Sequence, residues 1–119
     1  MYKLKLSVGV QLGDAEKPEL IKGLKDAGID TLEVAACEVC SATRAEQDEY
    51  FEKMERRLDA FRDLGFNLNS FHMTFGPLFC YFNFNDEQRA EAVRRSIDIC
   101  KRVSDYGFKY IVTHTNGWD

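Results

Sequence analysis

The chain has 119 residues, of which 45% are hydrophobic and 30% are charged, and it contains only two prolines. This composition is typical of one small globular domain with a real core and excludes a disordered tail. Sixteen Lys and Arg against twenty Asp and Glu give a formal charge of −4, which disfavours nucleic-acid backbones and anionic membranes as partners. No apolar run approaches the ~20 residues of a membrane span, and the N-terminus lacks a signal peptide's apolar stretch, so we expect a cytoplasmic protein.

Apolar residues recur at every second position in some segments, as in strands, and at every third or fourth position in others, as in helices. The two spacings alternate regularly along the chain. Pro18 suits a first helical turn, Asp86 suits a helix N-cap, and Gly28, Gly65 and Gly107 suit the ends of helices. The predicted elements are a strand at 4–10, a helix at 14–28, a strand at 29–36, a helix at 47–64, a strand at 66–73, a helix at 86–103 and a strand at 108–115. This βαβαβαβ order predicts parallel strands in the order 1-2-3-4, with the three helices on one face.

Two long connections, 37–46 and 74–85, leave the carboxyl ends of predicted strands, where α/β proteins place ligand sites. The second has the sequence TFGPLFCYFNFN. Its aromatic side chains would be poorly solvated, so we expect this segment to pack over the core or to line a pocket.

The predicted fold class is α/β, a parallel half-barrel comprising the first four strands and three helices of a TIM barrel, over residues 1–119. No G-x-G-x-x-G turn follows the first strand, and a full barrel needs ~250 residues. We expect the concave sheet face to carry a set of largely apolar residues or their strand neighbours, namely Val8, Val10, Leu68, Ser70 and Val112. Because an open half-barrel exposes that face and two strand edges, we expect the chain to form a homodimer or to pair with a missing C-terminal half.

The four cysteines are Cys37, Cys40, Cys80 and Cys100. Without a secretory signal we expect reduced thiols. Cys37 and Cys40 have the spacing of a redox pair or half a zinc site, but the other two form no second such pair. We interpret all four as buried or incidental cysteines.

Three polar residues fall where barrel strands deliver functional groups: Glu33, His72 and His114. A carboxylate inside an apolar strand is costly unless it is paired or faces a polar cavity. Both histidines of the chain lie at the carboxyl ends of predicted strands. A shared site and hydrogen-bonded structural histidines are both open interpretations at this point.

Four segments, at 28–33 (GIDTLE), 69–72 (NSFH), 92–97 (AVRRSI) and 107–114 (GFKYIVTH), resemble in order and spacing the first half of the xylose-isomerase-like TIM barrels. That superfamily contains sugar and sugar-phosphate isomerases and epimerases, and also the endonuclease IV group. The resemblance covers essentially the whole chain.

The resemblance implies a small sugar or sugar phosphate as substrate, and Glu33, His72 and His114 as substrate-binding residues. It also implies a divalent metal (Mn, Mg, Co or Zn) for a complete barrel, held by ligands on strands five to eight that this chain lacks. No catalytic residue or metal ligand of the isomerases is therefore assigned here. Two alternatives remain: an endonuclease IV-like metal-dependent phosphodiesterase with His72 and His114 on zinc, which the acidic balance disfavours, and a non-catalytic self-associating half-barrel.

Overall fold

The computed structural model describes residues 6–36, 46–74, 76, 79–82 and 85–114, apart from the side chains of residues 47 and 48. Its elements follow the predicted order. They are β1 (Ser7–Gln11), α1 (Pro18–Asp26), β2 (Thr31–Ala35), α2 (Gln47–Asp63), β3 (Asn67–His72), α3 (Asp86–Val103) and β4 (Tyr110–Val112). The strands form one parallel sheet in the order β1-β2-β3-β4, which confirms the predicted α/β class and strand order.

The first predicted helix is divided in two. A short 3-10 helix covers Leu12–Glu16, and α1 begins only at Pro18. The side chain of Asp14 explains the break, because its Oδ2 accepts a hydrogen bond from the backbone N–H of Gln11 at 2.8 Å and its Oδ1 accepts one from Lys17 Nζ at 2.7 Å. These bonds hold the chain in a tight turn before the proline starts the α-helix.

The N-cap of α3 is Asn85, whereas the sequence favoured Asp86. Asn85 Oδ1 accepts a hydrogen bond from the backbone N–H of Gln88 at 3.0 Å. Asp86 lies instead in the first turn, where its negative charge still complements the helix dipole. Gly107, with φ of 80°, ends the short 3-10 turn that follows α3.

The hydrophobic core lies between the sheet and the helices. Leu32 and Val34 of β2 are fully buried there with side chains of α2 such as Leu58. Residues in register on neighbouring strands point to the same face of a sheet, and β1 places Val8 opposite Leu32 and Val10 opposite Val34. The expectation that Val8 and Val10 lie on the concave face was therefore wrong: both face the helices.

A bulge in β3 separates Leu68 from Ser70. Leu32 pairs with Leu68 but Glu33 pairs with Ser70, so Asn69 is an extra residue that has no partner in β2. The side-chain alternation is reset at that point. Leu68 faces the helices, contrary to the sequence expectation, while Ser70 faces the concave side as expected.

The concave face therefore carries mainly polar or small side chains rather than a broad apolar surface. The register assigns to it the following residues of the first three strands: Ser7, Gly9, Gln11, Thr31, Glu33, Ala35, Asn67, Ser70 and His72. Tyr110 and Val112 of β4 share this face, since they pair with Ser70 and His72. A face of this kind can remain hydrated, unlike the apolar face that the sequence suggested.

We predict that Glu91 makes the stability of this fold sensitive to acid. Hydrogen bonds from Arg94, together with that from Arg95, lower the pKa of Glu91 to about 2. Because the folded pKa lies below the unfolded value, the stabilisation is present above about pH 4.5 and is lost as the pH falls toward 2. Urea unfolding should show a smaller loss between about pH 6 and about pH 3 in Glu91→Gln than in the wild type.

The matched control is Glu52→Gln, which changes an exposed carboxylate on α2. This variant should keep the wild-type acid dependence. Equal acid dependence in Glu91→Gln and the wild type would contradict the prediction.

Candidate functional site

Three neighbouring strands bring the sequence-predicted site residues together at one end of the sheet. Glu33 lies on β2, His72 ends β3, and His114 lies two residues beyond β4. Because the strands are parallel, their carboxyl ends meet at the same edge of the fold. Ser70, to which the sequence analysis gave no role, joins them.

Glu33 and Ser70 are in register on adjacent strands and hydrogen-bond to each other. The Ser70 hydroxyl donates to Glu33 Oε2 at 2.8 Å, while Glu33 Oε1 lies 4.0 Å from His72 Nδ1. The second distance exceeds a hydrogen bond, and a water molecule or a ligand hydroxyl could bridge it. The Glu33 side chain is 43% exposed and that of His72 is 25% exposed, so a ligand can reach both.

His72 and His114 meet through their Nε2 atoms, which lie 2.7 Å apart. The ring centroids are 4.9 Å apart and the ring planes differ by only 21°, so the rings meet edge to edge. A nitrogen-to-nitrogen contact of this length requires one N–H donor and one lone-pair acceptor. At least one of the two imidazoles is therefore neutral in this arrangement.

The same geometry bears on the divalent metal that the family resemblance implies. In the part of the chain that the structure describes, no group of three or more His, Cys, Asp or Glu side chains is placed to hold a metal ion. Two nitrogens each ~2.0–2.1 Å from a tetrahedral zinc would lie roughly 3.3 Å apart, so the histidine pair would have to open. The described residues therefore do not provide a metal site.

A tyrosine in the connection between β3 and α3 ties this loop to the end of β4. The Tyr81 hydroxyl lies 2.6 Å from Ser96 Oγ and 3.2 Å from Thr113 Oγ1. Since Ser96 donates its single hydroxyl proton to the carbonyl of Ala92, Tyr81 donates to Ser96 and accepts from Thr113. Tyr81 thus holds the residue that precedes His114, a role that no local sequence signal indicates.

The sequence analysis also made predictions for the aromatic connection, for the cysteines and for membrane-spanning segments. Phe79 is buried in the core and Phe82 is 65% exposed, so these two described aromatic residues of the connection differ, one packing in the core and one lying at the surface. Cys80 and Cys100 are free thiols, and burial raises the pKa of Cys100. Cys37 and Cys40 lie outside the described residues, as does nearly all of the 37–46 connection. Across the helices that are described, none combines the length and apolarity needed to cross a bilayer.

Known proteins resemble this chain through structure rather than through sequence. No protein-family model matches the sequence, and no curated protein matches it at a significant level. A crystal structure of D-psicose 3-epimerase, determined in the presence of D-fructose, matches with a TM-score of 0.59 and 15% identity. The match covers 95% of this chain and 39% of the epimerase chain.

A second solved structure matches less well. It is the probable 3-DHS dehydratase AsbF involved in petrobactin synthesis from Bacillus anthracis, with a TM-score of 0.40 and 14% identity, over 96% of this chain and 54% of that one. The fold assignment rests on the epimerase. A match to 39% of its chain is consistent with a half-barrel, so the predicted half-barrel is confirmed at the level of the fold.

We predict that Tyr81→Phe displaces His114 without unfolding the protein. The variant removes the hydroxyl that joins Ser96 to Thr113 and should cost about 1 kcal/mol of stability, as expected for a lost hydrogen bond. The NMR signals of the His114 imidazole should shift, and they should lose their correlation with those of His72. Tyr110→Phe, which removes a hydroxyl from a 63% exposed tyrosine, is the control. Unchanged His114 signals in Tyr81→Phe would rule out the positioning role.

Proposed function

We propose that this chain provides the sugar-binding half of an isomerase- or epimerase-type barrel that acts on a small polyol, ketose or sugar phosphate. Glu33, His72 and His114 are the proposed substrate contacts. One observation carries the proposal: two hydrogen-bonded pairs, Glu33 with Ser70 and His72 with His114, converge on a polar concave face, with Glu33 Oε1 4.0 Å from His72 Nδ1.

The chemistry of the network suits a hydroxyl-rich ligand. A sugar hydroxyl is both a donor and an acceptor, so it can replace the direct contact between the two Nε2 atoms once the rings move apart from 2.7 Å, accepting from one and donating to the other. A neighbouring hydroxyl can donate to Glu33 Oε1, which Ser70 leaves accessible by bonding to Oε2. The Ser70 bond fixes the carboxylate in place before the ligand arrives, which reduces the entropic cost of binding.

The same groups can move protons. Inverting a carbon next to a carbonyl requires removal and return of a proton by positioned groups. The histidine pair shares one proton between two imidazoles, so it can take a proton at one ring and release one from the other. Such a reaction also needs catalytic groups beyond Glu33 and the histidine pair, to stabilise the charge that develops on the carbonyl oxygen.

The fold supports this substrate class. The epimerase that shares the fold was determined in the presence of D-fructose, a ketose rich in adjacent hydroxyls. The chain spans 39% of that protein's length. We therefore propose that this half of the barrel binds the sugar, and that the complete reaction also needs the rest of a barrel.

We predict that D-fructose shifts the NMR signals of residues 33, 70, 72 and 114 in this chain, as followed by titration. Glu33→Gln removes a carboxylate charge, and His114→Ala removes one imidazole of the pair. Glu33→Gln should weaken the binding of D-fructose at least tenfold, since charge-assisted hydrogen bonds are worth roughly 1.5–3 kcal/mol, and His114→Ala should weaken it several-fold, since an uncharged hydrogen bond is worth roughly 0.5–1.5 kcal/mol. A parallel titration with D-fructose 6-phosphate distinguishes a free sugar from a sugar phosphate.

The control for this titration is Asp105→Asn, an exposed change beyond α3 and away from the network. It should bind D-fructose and its phosphate as the wild type does. The proposal fails if neither sugar perturbs the network, or if both network variants bind as tightly as the control.

The second candidate function is the endonuclease IV-like phosphodiesterase, and the convergence of two imidazoles favours it. We predict only weak zinc binding, because the pair offers two nitrogens and structural or catalytic zinc sites use at least three protein ligands. Calorimetry and the imidazole NMR signals would measure it. A dissociation constant below about 1 μM that is lost in both His72→Ala and His114→Ala would favour the phosphodiesterase instead.

A further inference from the structure

A groove on the helix side of the sheet lies between α1 and the end of α2. Its volume of about 490 Å³ is within the range of sites that hold small organic ligands. The lining residues come from the short 3-10 helix, from α1 and from the end of α2: Ala15, Glu16, Pro18, Ile21, Lys22, Lys25 and Leu64. The groove is thus a separate place from the concave face that carries Glu33 and His72.

The walls of the groove are apolar and are partly uncovered. Leu64, the residue that ends α2, is 47% exposed, and Pro18 is also exposed. Ile21 forms the floor, since it is buried and belongs to the hydrophobic core. A ligand with an apolar body would remove this exposed surface from water, which is favourable.

One ammonium group at the groove is available to an anion. Lys25 Nζ lies 3.7 Å from the centroid of the Phe66 ring, so the charge is held above an aromatic face. Among the described residues, no carboxylate forms an ion pair with Lys25. The other lysine, Lys22, is paired with Asp26. A carboxylate in the groove can therefore bind Lys25 without displacing an existing ionic partner.

The acidic residue of the groove does not cancel this charge. Glu16 accepts two hydrogen bonds from Arg57, from Nε to Oε1 at 2.9 Å and from Nη2 to Oε2 at 3.0 Å. This bidentate pair satisfies the Glu16 carboxylate. Glu16 precedes α1, whereas Lys25 lies in the last turn of α1, so the two charges lie at opposite ends of the groove. An anionic headgroup is favoured at the Lys25 end, and an apolar chain is favoured along the rest.

We propose that this groove binds a small carboxylate with an aliphatic chain, of the kind represented by octanoate. The carboxylate binds Lys25, and the chain lies along Ile21, Leu64 and Pro18. A rise of about 1.5 Å per residue from Pro18 to Lys25 gives the groove a length of about 10 Å, which suits an extended octanoate chain. The carbonyl end of α1 opposes an anion only weakly, because that effect is screened at exposed positions. This second site does not depend on whether the concave face binds a sugar.

An NMR titration of the full chain with octanoate tests the proposal. The backbone amide signals of residues 21, 25, 64 and 65 should shift, with a dissociation constant of roughly 1 mM or below. Acetate carries the same charge without the chain, and octylammonium carries the same chain with the opposite charge. Each of these two should bind several-fold more weakly than octanoate.

Two variants separate the role of the charge from that of the apolar wall. Lys25→Gln removes the ammonium and Leu64→Ser removes part of the wall, so each should weaken octanoate binding several-fold. The control for the first is Lys101→Gln, which changes a lysine in the last turn of α3. The control for the second is Ile97→Ser, because Ile97 is 48% exposed against 47% for Leu64. Both controls should bind octanoate as the wild type does.

The proposal is overturned if octanoate shifts none of the groove signals at up to about 10 mM, the result also expected if another part of the chain or a second copy fills the groove. Binding of acetate or octylammonium as tight as that of octanoate would overturn it, and so would a groove variant that binds as tightly as its control. Octanoate shifts confined to residues 33, 70, 72 and 114 would place the ligand on the concave face and would refute it too. Circular dichroism checks that the variants fold, and if a groove variant does not, the comparison of the three ligands on the wild type decides.

Discussion

The extra residue at Asn69 decides which side chains of β3 face the helices and which face the concave side. Side chains of a strand alternate between the two faces, so without the bulge a strand that buries Leu68 would also bury Ser70 and His72 and would expose Phe71. With the bulge, Phe71 is fully buried beneath the helices and contacts the ring of Phe108. Burying an aromatic side chain of this size is worth several kcal/mol, and this gain holds the bulge in place. The carbonyl of Asn69 meanwhile accepts the backbone N–H of Lys109 at 2.9 Å, so the irregular residue is also used to position β4.

The candidate site follows from this arrangement. Once Ser70 and His72 lie on the concave face, Ser70 is opposite Glu33 and His72 is one strand away from the chain that leads to His114. The network thereby combines a carboxylate fixed by a hydroxyl with two imidazoles that share a proton. Each group sits on a strand or directly after one, and the strands are held from the other side by a closely packed core. A site built on such a support loses little of its geometry to side-chain motion.

The sequence predicted correctly the features that depend only on the hydrophobic pattern and on the direction of the chain. Alternating strands and helices with glycines at the helix ends predicted the parallel order, and parallel order alone places Glu33, His72 and His114 at one end. It was misleading at Leu68 because strict alternation carries no sign of an inserted residue. It was misleading at Val8 because the strict alternation of β1 separates its two faces but does not reveal which of them the helices cover. Tyr81 was beyond reach, since its partners Ser96 and Thr113 are brought to it only by the finished fold.

The order of the strands has a consequence for how the molecule comes into being. Every strand of the described sheet has as its neighbours only the strands that precede and follow it in the chain. During synthesis, each new strand therefore emerges after the strand with which it pairs. No strand has to pair with one that is far away in the sequence. Folds dominated by contacts between successive elements form quickly, because each loop that must close is short. A growing chain of this design can build its sheet one β–α step at a time while synthesis is still under way.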